Sequence, residues 1–202
     1  MNGGSGGGRQ SLAEAQFYPN DYDGIWASCP AINWTQFLAS GLWAVTVMNE
    51  YDHILGFHKI NAFRDAVHNS VGGKENYFQV EERIDFDPYT ILGQKTKGGK
   101  ITEKDCLVMQ EIWKGPHTTG NDFLWYSFLP GGTFWNKIIP IGSFYYPLIG
   151  KRPKCFSLVE QYVHLAFEDP KKDLLHLKIR DFEKVFDTCI RKLGWLSCDH
   201  AD

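Results

Sequence analysis

The stretch NWTQFLASGLWAVTVMN, Asn33 to Asn49, decides how the chain is read. A short apolar turn runs into Gly41, and beyond it Trp43, Val45 and Val47 stand at alternate positions, the period at which strand side chains share one face. A glycine at a strand start costs chain entropy unless the backbone must pass close to something. Leu42 to Met48 is therefore expected to be a strand that begins at a close approach.

Outward from it, turn chemistry recurs at short intervals. NYFQVEERIDF closes at Asp87-Pro88, YTILGQKTK at Gly98-Gly99, KDCLVMQEIWK at Gly115-Pro116 and NDFLWYSFL at Pro130-Gly131-Gly132. GSFYYPLI runs to Gly150, and CFSLVEQYVHLAF turns through Asp169-Pro170-Lys171-Lys172 into DLLHLKIR. With few helices between these eight candidates, the pattern predicts an antiparallel meander rather than a parallel α/β sheet. Helical patterns are expected in SLAEAQF, in NAFRDAVHNS with Asn61 as cap, and in RDFEKVFDTCIRKLGW. In the last, Asp181 caps the start, Arg191 and Lys192 suit the carboxyl end, and Gly194 closes it.

Composition narrows the function classes. A net charge of -3 over 202 residues, with no Lys/Arg cluster, excludes a nucleic-acid partner. No apolar run approaches the roughly 18 residues of a membrane span. The opening MNGGSGGG is a Gly/Ser tract with nothing to pack and reads as an expression leader, which leaves residues 9–202 as one domain. Aromatic residues make up 15% of the chain, enough to line a cavity as well as fill a core. Cys29, Cys106, Cys155, Cys189 and Cys198 include no CxxC pair, so two disulfides and one free thiol are the economical count. Together with the sequon Asn33-Trp34-Thr35 they point to a secreted, glycosylated protein.

A meander followed by an amphipathic helix, with Gly41-x-Trp43 early and Arg180 just before the helix, resembles the lipocalins. The resemblance implies a mainly β fold, an eight-stranded antiparallel up-and-down barrel with the C-terminal amphipathic helix packed outside. It also implies barrel closure by Gly41, Trp43 and Arg180, the guanidinium stacked on the indole. From the same resemblance come disulfides joining Cys29 to Cys155 and Cys106 to Cys198, with Cys189 buried on the helix. Ala44 replaces the aromatic residue usual after the signature tryptophan, and YPLIGKRPKC stands where the family's middle motif belongs. The structural alternative is an open curved sheet carrying the helix, in which Trp43 and Arg180 need not meet.

Chemistry on such a barrel is sparse. The seven histidines have no zinc spacing, and haem ligation by His164 or His176 is the minor alternative to a satisfied strand histidine. Glu81 and Glu82 fall on opposite faces of their strand, and the glycine pairs in SVGGKEN and LPGGTFW do not lead from strand to helix. No Ser-His-Asp order stands out, so no catalytic residue, metal or cofactor is assigned. The expected pocket is lined by Val45, Val47, Phe78, Val80, Met109 and Trp125, with Glu111, Tyr145 and His164 orienting a small hydrophobic ligand. The function that follows is carriage of that ligand. The alternative is an isomerase, de-epoxidase or luciferase on the same barrel, acting on a lipid, carotenoid or luciferin-like substrate.

Overall fold

In the computed structural model, which describes residues 1–71, 84–127, 129–132, 157–173 and 176–193, the chain opens with a strand, a helix and a second strand parallel to the first. Strand β1 spans Asn2–Gly4, helix α1 Gly6–Phe17 and strand β2 Trp26–Ser28. The register sets Asn2 opposite Trp26, Gly3 opposite Ala27 and Gly4 opposite Ser28. Parallel neighbours need a crossover, and α1 is that crossover. The opening tract is therefore a folded strand and the first turn of a helix, with Gly8 buried, which corrects its reading as a leader with nothing to pack.

Six further helices follow: α2 Trp34–Ser40, α3 Trp43–Glu50, α4 Phe57–Ser70, α5 Glu103–Lys114, α6 Ser157–Phe167 and α7 Ile179–Leu193. A 3-10 turn over Pro88–Ile91 leads into a hairpin of β3, Lys95–Thr96, and β4, Gly99–Lys100. The described residues thus hold two two-stranded sheets and no barrel, so the expectation of a mainly β, eight-stranded barrel is overturned.

Three of the expected strands are helices, each for a visible reason. Leu42 to Met48 is buried at every position, and such a run has no polar face to reveal its period. In KDCLVMQEIWK the buried Asp105, Cys106, Val108, Met109 and Ile112 repeat at three and four residues. The helix start is fixed by a capping box in which Thr102 accepts from the Asp105 amide and the Asp105 carboxylate accepts from the Thr102 amide. In SLVEQYVHLAF, Val159, Tyr162, Val163 and Ala166 form the inward stripe of α6. NDFLWYSFL contributes only a bridge between His117 and Phe123, while NYFQVEERIDF and GSFYYPLI fall largely or wholly outside the described residues.

The helices share one core. Trp43, fully buried, packs edge-on against Phe182 at 5.2 Å and against His117 at 4.7 Å between ring centroids. Its indole N–H donates to the Glu111 carbonyl at 3.1 Å. Arg180 is exposed on the first turn of α7, and among the described residues the ring neighbours of Trp43 are those two aromatics rather than a guanidinium. Gly41 is not a strand start. It is the buried junction between α2 and α3, with φ -61° and ψ -19°, values open to any residue.

Helix α7, whose expected closing residue Gly194 lies outside the described residues, begins at Ile179, two residues before the expected cap Asp181, whose carboxylate sits in the first turn and accepts from the Lys178 amide at 3.0 Å. There it meets the end of α3: the Ile179 amide donates to the Glu50 carboxylate at 3.0 Å, and the Lys178 ammonium donates to the Glu50 carbonyl at 3.0 Å. A cation at a helix carboxyl end is favoured by the helix dipole. Helix α4 covers NAFRDAVHNS but starts earlier than expected, with Gly56 and not Asn61 at its cap position.

Candidate active site: a serine between a parallel strand and a helix

Between β1 and α1 stands Ser5, exposed, with φ 56° and ψ -118°. That is a backbone region which residues with a Cβ seldom occupy and which costs on the order of 1–3 kcal/mol. The strain is held by hydrogen bonds on both sides. The Ser5 amide donates to the Ser28 carbonyl at 3.0 Å, and the Ser5 carbonyl accepts from the amides of Arg9 at 3.1 Å and Ala31 at 3.0 Å. The serine is therefore pinned to the end of β2 and to the first turn of its own helix.

The surrounding glycines are there because no side chain fits. A Cβ on Gly3 would lie 2.1 Å from the Gly7 carbonyl oxygen and 2.6 Å from the Ser11 hydroxyl. One on Gly8 would lie 2.8 Å from both the Ser28 carbonyl oxygen and the Pro30 Cα. The Ser11 hydroxyl, fully buried, donates to the Gly7 carbonyl at 2.9 Å and fills the space the glycines leave. Strand, helix and second strand close on one another at backbone distance, and Ser5 is left at the tip of the turn.

Gly3-x-Ser5-x-Gly7, leading from a strand into a helix, is the arrangement that projects a serine hydroxyl at the carboxyl edge of a parallel sheet in α/β-hydrolases. The first amides of a helix have no partner inside it, so the Gly6 N–H, next in the chain after Ser5, lies at the positive end of α1. Sequence reasoning missed this site by taking glycine content for flexibility. The signal was the glycine spacing around Ser5 together with the helical pattern of SLAEAQF directly after it.

The other polar constellations lie among the helices. Asp105, fully buried, accepts from Lys59 at 2.5 Å and pairs with the His53 ring at 2.8 Å, and it also accepts from the Thr102 hydroxyl at 2.7 Å. Burial pushes its carboxyl up, but the hydrogen bonds from Lys59, His53 and Thr102 outweigh that and hold it below its ordinary value. His117 is bonded to the Gly115 carbonyl at 2.8 Å and stands 3.4 Å from the Glu111 carboxylate.

The residues expected to line a ligand pocket are dispersed. Val45 and Val47 are core residues of α3 and Met109 of α5, Glu111 is half-buried beside His117, and His164 is half-buried on α6. Trp125 and Trp43 both line a cavity of about 230 Å³, with Phe37, Pro116 and Tyr126. Phe78, Val80 and Tyr145 lie outside the described residues. Cys29, Cys106 and Cys189 are free thiols, and their expected partners Cys155 and Cys198 lie outside the described residues. Burial pushes the Cys189 thiol up to about 12; burial, aided by the Asp105 and Asp87 carboxylates, pushes Cys106 up to about 11. Asn33 caps α2 in a left-handed conformation.

A strand, a strained serine and a helix closed by glycines share the layout of the nucleophile turn known from α/β-hydrolases. Residues 1–122 match the family described as Tannase and feruloyl esterase, and the chain belongs to that family. It is 33% identical over 205 residues to the "Probable feruloyl esterase" of Arthroderma benhamiae, a match covering 92% of this chain and 36% of that protein. Its fold is shared with the tannin acyl hydrolase from Aspergillus niger, at TM-score 0.69 and 20% identity over 96% of this chain and 37% of that one. An esterase from Aspergillus oryzae superposes at TM-score 0.66 and 18% identity over 96% of this chain and 38% of that one.

The chain thus spans little more than a third of the length of these relatives. The lipocalin resemblance is overturned, and with it the carrier function, the leaning against an enzyme and the barrel-borne enzymes. No helix among the described residues is long and apolar enough to cross a membrane.

Proposed function

We propose that this chain carries the nucleophile of a serine esterase and that Ser5 is that nucleophile. The observation that carries the reading is the Ser5 backbone, held at φ 56° between β1 and α1 where Gly3 meets Gly7. Strain kept at an exposed serine serves reactivity, since Gly at this position would relieve it. The Ser5 hydroxyl attacks the ester carbonyl carbon while its proton passes to a general base. The resulting oxyanion is received by the Gly6 N–H at the positive end of α1. The carbon–oxygen bond to the alcohol then breaks, the alcohol leaves with the proton, and water releases the acid from the acyl-serine.

Helix α1 packs on β1 and β2, whereas His53 bonds to Asp105 and His117 packs on Trp43 in the helical core, so the base is assigned to another part of the protein. The names of the relatives, a feruloyl esterase and a tannin acyl hydrolase, favour esters of aromatic acids as substrates. An extracellular setting belongs to the same proposal. Its support is the Asn33-Trp34-Thr35 sequon, and a mass shift on endoglycosidase treatment of protein from a secreting host tests it.

The decisive experiment is covalent. A fluorophosphonate, which phosphonylates activated serines and expels fluoride, is expected to modify Ser5, as read by peptide mass spectrometry, and to leave Ser5→Ala unmodified. Labelling at another serine, or ester hydrolysis surviving in Ser5→Ala, would sink the assignment.

A further inference from the structure

The Ser5 carbonyl accepts from the amides of Arg9 and Ala31, and a path leads from each of these residues to Trp34. From Ala31 the path is the chain itself, which runs directly into Trp34 at the start of α2. From Arg9 it passes through space: the guanidinium carbon stands 5.7 Å from the centre of the indole ring. Trp34 in turn packs on the apolar cluster of the helices and lies 5.9 Å from Phe37 between ring centroids. The two residues that share the serine carbonyl are thus joined again at one ring.

Helix α1 needs such a link. Its buried residues are Gly8, against Ser28 and Pro30, and Ser11, against Gly3 and Gly7, so they face the strands. With no buried apolar side chain, α1 cannot be fastened to the helical core by packed surface, and a cation on an aromatic face takes that part. A guanidinium suits it because it is a weakly hydrated plate that can lie on a ring. The Arg9 charge is felt at α6 as well. Burial, aided by Cys189, pushes the Tyr162 hydroxyl up to about 12, and Arg9 acts in the opposite sense.

A strained residue keeps its conformation only where its surroundings over-determine it. We infer that Arg9 is the positioning residue of Ser5: its guanidinium on Trp34 closes a clasp around the Ser5 carbonyl and fixes the serine turn on the helical core. The inference rests on Ser5 being the nucleophile.

The kinetics of Ser5 modification by a fluorophosphonate, followed to saturation well below the melting temperature, test it. Arg9→Ala is expected to lower the limiting rate about tenfold with the reagent's apparent affinity unchanged, since a nucleophile misplaced by an ångström can lose on the order of 100-fold. A small unfolded fraction cannot slow modification of the folded majority, so this readout separates placement of the serine from stability. Trp34→Leu should match Arg9→Ala, Trp34→Phe, which keeps an aromatic face, should stay within about twofold of wild type, and Arg9→Lys should fall between. The double variant Arg9→Ala/Trp34→Leu should be no slower than either single one, because both remove the same contact.

A wild-type limiting rate in Arg9→Ala, even with a lowered melting temperature, overturns the proposal, and so do losses that multiply in the double variant. If Arg9→Ala does not fold, Arg9→Lys and Trp34→Phe decide by the same rates: an unslowed Arg9→Lys, or a Trp34→Phe as slow as Trp34→Leu, overturns it. A wild type that is not modified at Ser5 fails the esterase reading and the clasp with it, whereas a modified wild type with an unslowed Arg9→Ala fails the clasp alone.

Discussion

Residues 1–31 and the helices from Trp34 onward are held together by opposite means. The first region closes on missing side chains: Gly3 against Gly7 and Gly8 against Pro30, with backbone bonds from Ser5 to Ser28 and from Ala31 to Ser5. In the second, Trp43, Phe63, Phe182, Met109 and their neighbours interdigitate in one apolar cluster. The contrast teaches that the stable core and the strained Ser5 turn are built here from different materials. Packed apolar surface supplies the one. Backbone held in an unfavourable conformation supplies the other.

Ser5→Ala should break the contrast most sharply. Loss of the attacking hydroxyl is expected to lower ester hydrolysis by on the order of 10⁴–10⁶-fold with the melting temperature hardly changed, as steady-state kinetics and calorimetry would show. Trp43→Ala tests the other side. Truncating a fully buried indole should cost about 3–5 kcal/mol in chemical denaturation, while any protein that remains folded still reacts with a fluorophosphonate at Ser5.

Gly3→Ala should affect both properties, because the added methyl must push β1 and α1 apart. A loss of about 1–3 kcal/mol is expected, together with loss of Ser5 labelling. Ser5→Gly sharpens the point in the opposite direction. Relieving the left-handed backbone should raise stability by about 1 kcal/mol while abolishing activity, and a melting temperature below wild type would contradict strain at this residue.

The smallest effect concerns pH. Because the folded Asp105 carboxyl is held below its ordinary value, its contribution is fully present above the usual carboxylate range, near about 4. It disappears as the pH falls through the lowered value. Wild type and Asp105→Asn should therefore converge in stability on acidification below about pH 4, in denaturation curves recorded across that range.

What the sequence made legible followed from side-chain periodicity against a polar face. Helices α1, α4 and α7 could be read because SLAEAQF, NAFRDAVHNS and RDFEKVFDTCIRKL carry both apolar and polar stripes. Helix α3 could not, because Trp43 to Met48 are buried all round and the β-branched Val45 and Val47 imitate a strand. Thr102 and Asp105 held the capping box that marked α5, but they sat in a stretch that also reads as a polar turn. The site was hardest of all. Its determinants are glycines, which leave no hydrophobic pattern, and whether MNGGSGGG is a loose tail or a tight turn depends on Ser28 and Pro30, more than twenty residues away.

The bonds around Ser5 also set a clock. The donors that fasten the turn are main-chain amides, those of Ser5 and Ala31, and they release deuterium-exchangeable hydrogens only when β1 and β2 part. Helix α1 packs chiefly on those two strands, whereas α2, α3, α5, α6 and α7 pack on one another. Residues 1–31 are accordingly expected to open as a cooperative unit while the aromatic cluster stays closed, and the strained Ser5 conformation then lasts only as long as the smaller unit does.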